Sequence, residues 1–205
     1  TPLYSSAASD VYKRQVERLL RQNEEIKKLN EEYDEIDIYS GTEMDILPDG
    51  SLDYDDEVLA QLDYVIAAIH QSFNQSEDEI MKRLEVACKN PYVRHIAHPT
   101  GRIIGRRPGY KPNIEKLMKL AEETNTILEI NANPKRLDLN AETVRKYPNV
   151  KLTINTDAHH TNHLEFMKYG VATAQKGFVT KDRVINALSR EEFKSLVENN
   201  IKLKK

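Results

Sequence analysis

Short, nearly uninterrupted apolar runs recur along this chain, and segments with helical spacing follow them. A strand that is apolar along its whole length must be buried on both faces, as in a parallel sheet covered by helices. The runs are Ile36–Leu47, Leu62–His70, Val93–Pro99, Ile127–Asn133 and Val150–His159. Between them, Ser76–Lys89 reads as a helix opened by a capping box of Ser76 and Glu79. A second helix is expected after Asn113, its candidate cap, and a short one over AETVRKY. Pro48-Asp49-Gly50 is a strong turn signal after the first run. GVATA, residues 170–174, is expected as a last short strand, and the tail from Thr180 as helix. Upstream, Val16, Leu19, Leu20, Ile26 and Leu29 mark one face of a helix. Residues 1–15 are polar, rich in Ser and Ala, and without a sustained period; they are expected to be a disordered or artefactual leader. The expectation is therefore one α/β domain over residues 16–205, with no second domain and no internal repeat.

Composition narrows the function. The 205 residues carry a formal net charge of -3, which excludes a polyanion-binding protein that works by bulk charge. A single cysteine, Cys88, allows neither an intrachain disulfide nor a cysteine-rich zinc site, and it sits on an apolar helical face. No apolar run approaches the ~20 residues of a membrane span, and no secretory pattern is seen. A cytoplasmic enzyme or binding domain fits these limits.

The apolar runs end in polar or metal-competent side chains: Glu43, His70, His98, Asn131, and Asp157 with His159. In a parallel α/β barrel the C-terminal strand ends converge on one face, where the active site lies. Strand alternation places Asp157 and His159 on one face and His160 on the other. It likewise prefers His98 to His95; His163 falls in the following loop or helix, at the surface. One histidine at a strand end is ordinarily a hydrogen-bonded structural residue. Three, with a glutamate and an aspartate at successive strand ends, point to divalent metal of the Zn²⁺, Mn²⁺ or Fe²⁺ type rather than Ca²⁺. After His98 the loop PTGRIIGRRPGYK carries Arg102, Arg106, Arg107 and Lys111, and guanidinium groups suit phosphate oxygens. Asp45 and Asp49 are read as turn residues. Asn131 and Asn133 either line the pocket or cap strand ends.

The segments GTEMDILPDGSLD, AIHQSF, RHIAHPTGRIIGRR, EINANPKRLDL and NTDAHHTNHLEFMKYG resemble the C-terminal polymerase-and-histidinol-phosphatase (PHP) domain of bacterial and archaeal family X DNA polymerases. The resemblance implies a distorted (β/α)₇ barrel with a trinuclear metal centre. It also implies 3′–5′ exonuclease or related DNA-end phosphoesterase activity, usually supported by Mn²⁺. By position, Glu43 would bridge two metals, with His70 and His98 completing one site, Asp157 binding the other metal and His159 the third. Glu43 and Asp157 are thus the expected catalytic carboxylates, and Arg102, Arg106 and Asn131 the substrate-binding residues. The partners implied are DNA 3′ ends and an upstream polymerase domain.

The family's first strand supplies an HxH pair, and none occurs here. The chain is therefore read as N-terminally truncated, lacking the first barrel strands and about half of the ligands. Only the Glu43–His70–His98 site then has its full set. Two other readings compete with a DNA-end phosphodiesterase. One is a histidinol-phosphatase-like phosphomonoesterase with a small soluble substrate. The other is a catalytically degenerate barrel that serves as a structural module.

Overall fold

A computed structural model describes residues 3–198, with side chains from residue 11 onward. Helix α1 spans Leu3–Glu32 and so takes in most of the stretch expected to be an unpatterned leader. No glycine or proline interrupts those residues, which leaves helix as an open backbone state despite the weak apolar period. Tyr12 anchors it by donating to Asp55 Oδ2 over 2.9 Å.

A parallel sheet of five strands follows: β1 Gly41–Asp45, β2 Tyr64–Ala68, β3 Val93–Ile96, β4 Ile127–Asn131 and β5 Leu152–Asn155. The strands lie side by side in chain order, each paired parallel with the next. Helices α2 Asp56–Leu59, α3 Glu77–Lys89, α4 Ile114–Thr124 and α5 Ala141–Lys146 alternate with them. After β5 come a 3₁₀ segment, Thr161–Phe166, and α6 Met167–Lys176. Two 3₁₀ turns then lead to α7 Arg190–Glu198. Sequential parallel order with right-handed crossovers places the connecting helices on one face of the sheet.

The two faces differ in kind. Met44, Val65, Ala67, Ile96, Leu128, Ile130, Leu152 and Ile154 belong to the buried apolar core, shared with Ile80, Leu84 and Cys88 of α3 and Leu117 and Met118 of α4. Glu43, His95, Glu129, Thr153 and Asn155 line a cavity of about 280 Å³ with Tyr64, Ile66 and Phe193. Phe193 of α7 stacks on Tyr64 at 6.2 Å and so closes part of this polar face.

Local chemistry sets the helix boundaries. Ser76 and Glu79 form the expected capping box on α3. Asn113 and Asn140 accept from the backbone N–H groups of Lys116 and Thr143 at the starts of α4 and α5. Asn125 ends α4 in the left-handed conformation at φ 52°.

Three expectations are corrected. The first apolar run forms ladder only from Gly41, because the backbone N–H and C=O of Ile38 are already paired with the Asn30 side chain. GVATA is helical rather than a strand and lies within α6, where Gly170 and Ala174 are buried. The tail from Thr180 begins with 3₁₀ turns, and Val184 makes an isolated parallel bridge to Leu152 before α7 starts.

The close seat of α6 on the sheet gives a test. A Cβ added at Gly170 would stand 2.4 Å from Ile154 Cγ2 and 2.7 Å from Ala132 Cβ. Alanine normally gains up to ~1 kcal/mol over glycine in a helix. Here overpacking of ~1–3 kcal/mol outweighs it, so Gly170→Ala is expected to lower the urea midpoint. A midpoint equal to or above the parent's would show that α6 can shift off the sheet.

Candidate metal centre

Glu43, His70 and His98 each offer a ligand atom within 4.8 Å of the other two. They reach this point from three elements: Glu43 from β1, His70 from just past β2 and His98 from just past β3. His70 Nε2 lies 3.3 Å and His98 Nε2 3.2 Å from Glu43 Oε1. Ligands bound at ~2.1 Å in a tetrahedron stand ~3.4 Å apart, so each histidine nitrogen lies from Glu43 Oε1 at about the edge length of a small cation's coordination shell. The donor set, two imidazoles and a carboxylate, fits a divalent transition metal. The hydrogen bond from His70, then that from His98, holds the Glu43 carboxyl well below the usual carboxylate range. Glu43 in turn raises the His70 pKa, with burial opposing and Asp45 adding to the rise.

Asp45 does more than the turn role expected of it. Its Oδ1 makes a short contact with His70 Nδ1. Such a contact fixes the ring and leaves Nε2 toward Glu43, as carboxylates do behind metal-binding histidines. Glu43 and Asp45 are two apart on one strand, and that spacing was the available signal. Asp49 keeps the turn role, accepting from the Ser51 N–H and hydroxyl.

His98 reaches the site by a route that strand alternation does not describe. It follows the last strand residue by two positions and has φ 31°, a left-handed value that turns the chain. His95 also lines the cavity, fully buried, with Nε2 3.1 Å from Thr153 Oγ1; burial pushes its pKa down to about 3.

Glu129, which the sequence reading passed over, is the buried hub beneath the site. It accepts from the His98 backbone N–H at 2.6 Å, from Asn131 Nδ2 at 3.1 Å and from Asn155 Nδ2 at 3.1 Å. Burial pushes its pKa up to about 7 against the pull of the His98 charge and these donors. Asn131 is itself fully buried and also donates to Asp157 Oδ2 at 3.2 Å, so it ties β4 to the end of β5.

Asp157 lines the same cavity but lies outside the three-residue cluster; Arg136 Nε pairs with its Oδ2 at 3.0 Å. His159 stands on the exposed rim, its Nδ1 2.8 Å from the Asp157 carbonyl oxygen. His160 accepts from the Asn162 N–H, and His163 Nδ1 from the His159 N–H.

The basic loop divides by role. Arg102 donates to the carbonyls of Arg136 and Leu137, which commits it to holding a neighbouring loop. Arg107 donates to the Gly101 carbonyl and lies 4.1 Å over the Phe73 ring. Arg106 and Lys111 are exposed.

The fold is a parallel α/β sheet, and at its strand ends Glu43, His70 and His98 form a cluster with the donors to hold a cation. No family model matches the chain. It is 54% identical over 186 residues, 90% of its length, to a DNA polymerase/3′-5′ exonuclease, PolX, of Bacillus subtilis. It spans 33% of that relative. A probable phosphatase of Thermoanaerobacter is 29% identical over 173 residues, 78% of this chain and 68% of the relative. A probable phosphatase of Caldanaerobacter subterraneus is 36% identical over 110 residues, 52% of this chain and 41% of the relative. The chain is thus similar to about a third of a polymerase/3′-5′ exonuclease and to probable phosphatases, in line with the resemblance that its motifs carry. Among the described residues, no helix is long and apolar enough to cross a membrane.

Two outcomes are expected in a calorimetric Mn²⁺ titration. Asp45→Ala weakens binding by ~10–100-fold, the usual cost of losing a carboxylate behind a histidine ligand, whereas Asp49→Ala leaves it unchanged. Protons and cation compete for His70 Nε2, and the His70 pKa is raised. Affinity in the parent therefore falls as pH drops through that raised range. Equal affinity in the two variants would remove Asp45 from the site.

Proposed function

We propose that this chain is a divalent-metal-dependent phosphoesterase of the PHP type that processes DNA ends in the 3′–5′ direction, as the end-trimming module of a family X polymerase. The observation that carries the reading is the Glu43–His70–His98 cluster, with ligand atoms spaced as a cation requires. The B. subtilis relative, named as a polymerase and 3′-5′ exonuclease, supports DNA as the substrate class. Five parallel strands in sequential order, with a polar cavity on the face away from the core, fit the arc of a (β/α)₇ barrel wall. Mn²⁺ is the cation proposed, with Zn²⁺ or Fe²⁺ as alternatives, and the cytoplasm the proposed location.

A divalent cation held by these side chains supplies Lewis acidity toward a phosphoryl oxygen and makes water more acidic. Glu43 contributes a carboxylate that stays ionised at neutral pH. Asp45 holds His70 in the tautomer that presents Nε2. Glu129 fixes the backbone of His98, and through Asn131 it steadies Asp157, the second proposed catalytic carboxylate. We assign Asp157 and His159 to further cation positions at the cavity mouth. Arg106, exposed in the basic loop, is the candidate contact for more distant DNA phosphates.

The probable-phosphatase relatives favour a second reading, hydrolysis of a small phosphomonoester. A length series separates the two. With Mn²⁺, the chain is expected to release nucleotides from a 3′-recessed duplex faster than phosphate from a small ester. Glu43→Gln should lower that rate about a hundredfold or more, since loss of a ligand exceeds the ~10–100-fold cost of losing its outer partner. Preference for the small ester would select the phosphatase reading. Activity retained by Glu43→Gln would displace the proposed centre.

A further inference from the structure

We propose that His160, His163, Phe166 and Tyr169 form a base-stacking platform that receives the unpaired 3′ end of a DNA strand on its way to the metal cluster. This rests on the phosphoesterase reading above and adds how the substrate is held: by the faces of its bases.

The platform begins in the sequence. Between β5 and α6 the chain places four rings three residues apart, at positions 160, 163, 166 and 169. A spacing of three drifts around an α-helix, which turns once in 3.6 residues. In a 3₁₀-helix the same spacing repeats every turn, so side chains at i and i+3 eclipse, and each turn rises ~6 Å. Thr161–Phe166 is 3₁₀ over six residues, longer than the three or four usual for this helix. The rings accordingly neighbour one another in series. Centroids are 6.2 Å apart from His160 to His163, 4.9 Å from His163 to Phe166 and 6.2 Å from Phe166 to Tyr169. His163 and Phe166 are stacked, 20° from parallel. The tilt reaches 42° at Tyr169, where the chain has passed into α6.

The series is fixed in its middle and open at its ends. Phe166 is partly buried against the core, whereas His160 is exposed and Tyr169 is 41% exposed. A ring already set by a packed neighbour has less freedom to lose when a ligand binds. The rings are also tied to the cavity rim. His163 Nδ1 accepts from the His159 N–H at 3.2 Å, and His159 Nδ1 lies 2.8 Å from the carbonyl oxygen of Asp157, which lines the cavity with Glu43 and His98. Residues 160–169 carry one acid, Glu165, and one base, Lys168, whose Nζ lies 5.3 Å from the centre of the Tyr169 ring. With no net charge, this segment does not draw in DNA through its phosphates; rings offered to the π-faces of bases do. Stacking accepts any base, which suits an end shortened without regard to sequence. Leu164, Met167 and Val171 are also exposed along this stretch, and a protein partner would use them without needing the rings in series.

The test is binding without cleavage, so it is independent of the hydrolysis assay. The full chain, with chelator present, is titrated into two dye-labelled single strands, an oligothymidylate and an abasic strand with the same number of phosphates, and anisotropy is read. The parent is expected to bind the oligothymidylate at least about tenfold more tightly. Tyr169→Leu keeps an apolar side chain but removes the ring, and should cut that preference about tenfold. Tyr169→Phe keeps the ring and should keep the preference. Equal affinity of the parent for the two strands, absence of binding included, would overturn the proposal, as would a parental preference in Tyr169→Leu. Self-association of the parent that Tyr169→Leu abolishes, with no preference between the strands, would overturn it too and assign the surface to a second copy of the chain. Each of these results leaves the Glu43→Gln assay of the metal cluster unaffected.

Discussion

One buried carboxylate, Glu129 of β4, ties together the ends of β3, β4 and β5. It is almost wholly inaccessible, yet it faces no side-chain cation in hydrogen-bond contact; its partners are the N–H groups of His98, Asn131 and Asn155. Burying a carboxylate costs several kcal/mol unless its lone pairs are met. Three donors from β3's end, β4 and β5 meet them only when those elements are in register. The carboxylate thus makes the local arrangement cooperative: displacing one strand end strands a charge. Both residues that it steadies, His98 directly and Asp157 through Asn131, have positive φ, at 31° and 51°. Such conformations cost ~1–3 kcal/mol each and persist where surrounding bonds over-determine them.

Most of the scaffold was legible because its causes are local. Ser76 with Glu79, and Asn113, act through bonds reaching three residues along the chain, so their spacing reveals them. The apolar runs located the strands because both sheet faces are covered. GVATA misled because its small residues fit a tight helix-to-sheet contact as well as a strand. That choice depends on Ile154 and Ala132, which lie elsewhere in the chain.

The site was legible in identity and less so in geometry. Glu43, His70 and His98 were singled out from their positions at run ends, and the structure brings them together. The alternation argument used for His98 did not describe how it arrives, because side-chain parity holds only while the backbone stays extended. A left-handed residue past the strand resets the direction. Glu129 was passed over, and Asp45 read as a turn residue, for a related reason. Their roles are defined by partners 31 and 25 residues away, and the one local hint, the spacing of Glu43 and Asp45, does not name the partner.

The arginines show how charge and position divide in this fold. Arg83 donates to the carbonyls of Ile46 and Gln71, and Arg183 to those of Val144, Tyr147 and Val150. Arg102 does the same for the loop after β4. A guanidinium suits this work because its planar array of donors can gather several carbonyl oxygens that no helix or strand satisfies. These clamps pin the segments after β1, β2, β4 and α5, which include much of the loop surface around the strand ends. Their donors are turned chiefly toward backbone carbonyls rather than toward a ligand. A basic loop in sequence therefore says little about which arginine meets an anion.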